Sequence, residues 1–178
     1  ATGFSQNDSR LAPGLSPIAT VEKVVMPALD NEQLIQKEME RRSPGIAPRF
    51  AENLEVNISP ATHGKWERSK NGNLVWRLTI RSSNAKSINL GFTKYNMPAA
   101  GSLILYSPDY QKIIGPFTPA DNEEHEQLWT PVLPGDEIVI ETERTVALRT
   151  SGVVSRSGDP ADELVDPWCG SVSVKQLP

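Results

Sequence analysis

A nucleophile with a base beside it is the first chemistry to look for, and three residues qualify by type: Cys169, His63 and His125. A thiol attacks well when an imidazole within hydrogen-bond reach takes its proton. The two histidines lie far from the cysteine in the chain, and no local motif joins them. The sequence also has no Gly-x-Ser-x-Gly elbow, His-Glu-x-x-His pair, Cys-x-x-Cys pair or phosphate-binding glycine loop. No catalytic residue is therefore assigned. Asp109, Asp121, Asn122, Glu123 and Glu124 supply the hard oxygens that calcium uses, but without the ligand spacing of a calcium loop. They read as a solvated acidic loop, and no metal or cofactor is implied.

Two further residue classes carry weaker signals. Flat rings stack on sugars, and Trp66, Trp76, Trp129, Tyr95 and Tyr110 are the rings available. Trp76 and Trp129 fall in strand patterns and are expected in the core. Tyr95 and Tyr110 fall in loops and are the candidate ligand-contact aromatics. Arg144, Arg149, Arg156 and Lys175 lie in or near a polar carboxyl-terminal stretch. A trypsin-like protease cuts after such residues where the backbone is flexible enough to enter its cleft. Arg156 and Lys175 are the processing-site candidates, and the alternative for each is an ordinary solvated charge.

Composition narrows the function classes. A net charge of -4 over 178 residues provides no basic face for nucleic acid. No apolar run is long enough to cross a membrane. No signal peptide is evident, although Ala1 is a small residue of the kind found at signal cleavage points. A single cysteine cannot form a disulfide within the chain and does not fix the redox compartment. Fifteen prolines and 12 glycines, spread throughout, argue against long helices.

The elements follow from periodicity. Residues 1–48 read as a polar arm that Val21, Val24, Val25 and Met26 pin to a surface, followed by one helix. That helix spans about 31–42, with Asp30 or Asn31 as N-cap and a narrow stripe of Leu34, Ile35 and Met39. Too short to persist alone, it is expected to rest its stripe on something. Residues 49–150 then give roughly eight short strands at close spacing, broken by Pro and Gly turns. The clearest puts Leu74, Trp76, Leu78 and Ile80 on a buried face and Val75, Arg77, Thr79 and Arg81 on the other. Asn89 to Asp109 reads as a strand–loop–strand hairpin at the centre of the domain. Without helical crossovers between the strands, antiparallel sheets are expected. The predicted fold is an all-β antiparallel sandwich or jelly roll. Residues 151–178 read as a linker or tail, with Val172-Ser173-Val174 as one late strand signal.

Several strings occur together and in order: Pro48-Arg49-Phe50-Ala51, Trp66-Glu67, Val75-Trp76-Arg77, Gly91-Phe92-Thr93 with Tyr95, Met97-Pro98-Ala99, Leu128-Trp129-Thr130, Pro134-Gly135 and Val139-Ile140-Glu141. They resemble the pro-region of bacterial secreted lysyl endopeptidases and related trypsin-like serine proteases. The resemblance implies a secreted or periplasmic precursor in which a non-catalytic amino-terminal domain assists folding of, or inhibits, an attached serine protease. It also implies cleavage after a basic residue and a cognate protease domain as partner. No segment resembles the sequence around the protease's own Ser, His or Asp. The alternative is a carbohydrate-binding or adhesion module of a secreted bacterial protein.

Overall fold

The computed structural model describes residues 8–28, 30–45, 52–145 and, as backbone, 172–177. The strand Leu74–Arg81, here β4, follows Lys23–Val25 (β1), Glu52–Val56 (β2) and Lys65–Arg68 (β3). Its alternation sends Trp76, Leu78 and Ile80 into the core. The opposite face is also buried, contrary to the sequence reading: Val75, Arg77 and Thr79 are as enclosed as their neighbours. The cause is the arm before Lys23, which lies across that face and contributes Leu11 and Ile18 to a second apolar cluster.

The remaining strands are Ser87–Phe92 (β5), Gly101–Tyr106 (β6), Ile113–Phe117 (β7), Leu128–Trp129 (β8), Leu133–Pro134 (β9), Glu137–Arg144 (β10) and Val172–Leu177 (β11). One sheet runs β1-β4-β10-β6-β7, with β3 sharing the outer edge of β4 with β1. The other runs β2-β11-β5-β8, with β9 sharing the outer edge of β5 with β8. The two sheets pack as a sandwich. Trp76, Leu78, Leu103, Leu105, Ile138 and Ile140 of the first meet Ile88, Leu90, Phe92 and Leu133 of the second in one continuous core. β7 lies at a sheet edge, as Pro116 requires, because proline donates nothing to a ladder. The Asn71-Gly72 turn closes the β3–β4 hairpin, with Gly72 at φ +83° where a side chain is rarely tolerated.

Four further expectations are corrected. The 89–109 unit is no hairpin: β5 and β6 belong to different sheets, and the turn at Pro98–Gly101 carries the chain from one layer to the other. β1 pairs with β4 in parallel, against the otherwise antiparallel pattern, because the arm enters the sheet from a distant point in the chain. The helix Asn31–Arg41 (α1) forms with Asp30 as its N-cap, yet it buries no residue, and Ile35 and Met39 stand exposed. Trp129 is 51% exposed rather than in the core, because its neighbour Leu128 takes the inward position. β1 and β11 add strands to the two sheets from residues before 49 and after 150.

Candidate functional site

The densest polar chemistry among the described residues lies on the outer face of the first sheet, under the arm. Register places Glu141 of β10 opposite Arg77 of β4, on the face that carries Ile104, Tyr106 and Val139. Arg77 Nη2 donates to Glu67 of β3, to the Ser16 carbonyl at 2.7 Å and to Ser16 Oγ at 3.1 Å. Glu67 Oε1 accepts from the Ser16 amide at 2.9 Å. Glu141 Oε1 accepts from the Ala12 amide at 3.0 Å, and its Oε2 accepts from the Tyr106 hydroxyl at 2.7 Å. Farther along the arm, Glu22 Oε2 accepts from the Gly64 amide at 2.6 Å.

Electrostatics sort the two carboxylates. Partial burial works to raise the Glu67 carboxyl, but hydrogen bonds from Arg77 and Ser16 together outweigh it and hold the pKa at about 2. Burial pushes the Glu141 carboxyl up, against the opposing bonds from Tyr106 and Ala12. Burial and the neighbouring Glu141 push the Tyr106 phenol up as well. Burial also opposes the charge on Arg77, yet its bond to Glu67 foremost keeps it more firmly protonated than usual. Paired carboxylates with divergent environments are what acid–base catalysis uses. Here, however, both accept backbone amides of the arm, and a substrate would have to displace the arm to reach them. The cluster is a clamp that fixes the arm to the sheet.

The residues singled out by type do not converge. Tyr95 is buried between the sheets, tilted against Phe92 with ring centroids 6.3 Å apart. Tyr110 lies on the far side of the first sheet, stacked on Tyr106 at 5.2 Å. These two loop aromatics therefore share no surface. Trp66 is half-buried against the core and donates Nε1 to the Pro60 carbonyl at 3.2 Å. His63 contacts Thr62, and His125 Nδ1 accepts from the Gln127 amide at 3.1 Å. Cys169 lies outside the described residues.

The acidic loop has internal duties. Asp121 and Thr118 form a capping box on the short turn Pro119–Asp121. Asn122 brackets Met97, accepting from its amide at 2.7 Å and donating to its carbonyl at 2.9 Å. Asp109 ties down the turn after β6 through Ser107 Oγ and the Gln111 amide. Among the described residues, no three His, Cys, Asp or Glu side chains come together as a metal site would need.

Of the processing candidates, Arg156 lies outside the described residues. Lys175 is in β11, in register with Asn53 of β2 on one side and Asn89 of β5 on the other. Sequence reasoning missed the arm clamp. Its signal was a charge at the middle of the most apolar strand, Arg77, and another closing the apolar run of β10, Glu141.

Exposed apolar groups make up the remaining surface chemistry. The Trp129 indole lies over Gly91, its register partner, so closely that a Cβ there would stand 2.4 Å from the ring. Val132 follows it and is also exposed. No helix among the described residues is long and apolar enough to cross a membrane. A family model described as the lysyl endopeptidase N-terminal domain matches residues 25–153, from the last residue of β1 through β10.

Proposed function

Because the chain belongs to the lysyl endopeptidase N-terminal domain family, we propose that it is the non-catalytic prodomain of a secreted trypsin-like serine protease, acting as its folding assistant, its inhibitor, or both. The family match over residues 25–153 carries this reading. Attachment to a protease in cis and membership of a propeptide follow from the family itself. The arm clamp supports a non-catalytic role, since Glu67 and Glu141 are committed to the arm.

The mechanism is steric. The sandwich docks beside the protease cleft, and the segment between β10 and β11 crosses it until cut. Arg156 is the processing candidate within that segment. Lys175 is the second, and its backbone must leave the sheet before a protease can accommodate it, because a cleft takes extended, unpaired chain. The protein acts outside the cytoplasm, in the secreted or periplasmic space. The test is refolding. A denatured lysyl-specific secreted protease is diluted from denaturant with and without the chain, and recovered activity is measured. A higher yield with the chain supports the assistant role, and an unchanged yield removes it.

A further inference from the structure

β11, Val172–Leu177, is a central strand of the second sheet. Val172 to Gln176 pair with β2, and Val172 to Leu177 pair with β5. Without β11, β2 and β5 have no direct pairing with one another, and both would present open edges beside the core. The register also sets Val172, Val174 and Gln176 opposite Phe92, Leu90 and Ile88, and these three β5 residues belong to the core. A strand held on both edges in this way forms the main-chain ladder by which extended peptides are bound through strand addition.

We propose that β11 is a noncovalent tether: when the chain is cut between Thr145 and Val172, the piece carrying Val172–Leu177 stays seated between β2 and β5 and keeps any polypeptide joined beyond it bound to the sandwich. This rests on the prodomain reading for its biological setting, since it makes processing and release two separate steps. A protease whose amino-terminal stretch includes β11 would remain attached to its prodomain after the cut. Release would then require β11 to be withdrawn from the sheet.

The experiment uses the full chain with a recognition site for a highly specific protease inserted between Gly158 and Asp159. After complete cleavage, the sample is passed through size exclusion at micromolar concentration. Both pieces should elute together with unchanged near-ultraviolet dichroism, and separate elution of a folded amino-terminal piece would overturn the proposal. Co-elution at twice the mass would assign the slot to the strand of a second copy and would also overturn it. To test the strand itself, labelled peptides covering residues 169–178 are offered to the cut protein. The native peptide should exchange in, and one with Val174→Pro should not, because proline breaks the ladder. Equal uptake of both would place the contact elsewhere. Retention is read without any protease activity, so retention in a chain that, uncut, neither inhibits a secreted protease nor aids its refolding would count against the prodomain reading alone.

Discussion

Arg77 and Glu141 face each other across β4 and β10, and the arm closes over both. Arg77 is the guanidinium of a largely buried cluster that contains two carboxylates. Removing one member of a buried charge set leaves the others uncompensated, which typically costs about 3–5 kcal/mol. Arg77→Met should therefore destabilise the chain by that order in urea unfolding. Hydrogen exchange at the Ala12 and Ser16 amides should accelerate beyond what the global loss explains.

The clamp also sets an acid limit. The Glu67 pKa is depressed from its ordinary 4.5 to about 2, so its stabilisation is present above the unfolded value and is lost as pH falls from about 4.5 toward 2. Over that window the loss is on the order of 3 kcal/mol. Glu141 is raised and works in the opposite sense: its stabilisation is present below the ordinary carboxylate value and fades as pH climbs through the raised one. Unfolding free energy measured against pH should fall between 4.5 and 2 in the native chain. In Glu67→Gln the same curve should be flatter and start lower at neutral pH.

The legible part of this fold lies where one strand carries its own signal. The alternation of β4, the Asn71-Gly72 turn, the edge character imposed by Pro116 and the Asp30 cap all follow from local chemistry. What escaped depends on distant segments. Val75, Arg77 and Thr79 are buried by residues of the arm, and nothing in β4 announces that cover. Whether β5 and β6 pair or part depends on which sheet each joins, and the loop at Pro98–Gly101 serves either outcome. Trp129 was misplaced because β8 has only two residues, too few for alternation to show which one points inward. Tyr95 is buried although its segment carries no strand pattern, and nothing in that segment announces the cover.

Gly91 and Trp129 can be tested directly. Gly91→Ala puts a methyl where the indole sits, and the half-exposed ring can swing aside. The expected cost is roughly 1 kcal/mol, small for a buried position because the only clash is with a ring that can give way. Trp129 emission should shift as its packing is lost, whereas a loss of several kcal/mol would mean that the ring cannot move.

The helix α1 should be separable from the sandwich. Asp30 Oδ1 accepts from the Gln33 amide at 3.0 Å, and α1 buries no side chain. Asp30→Ala should cost the helix about 1 kcal/mol and reduce its far-ultraviolet signal. The main thermal transition should barely move, and a large fall in that transition would show that α1 supports the core after all.

A prodomain must act on a protease. The most direct test titrates the purified chain into lysyl- and arginyl-specific secreted proteases, followed by intact mass. Saturable inhibition is expected, with slow clipping in the segment that includes Arg156. Full protease activity at every concentration, with the chain left intact, would contradict the prodomain reading.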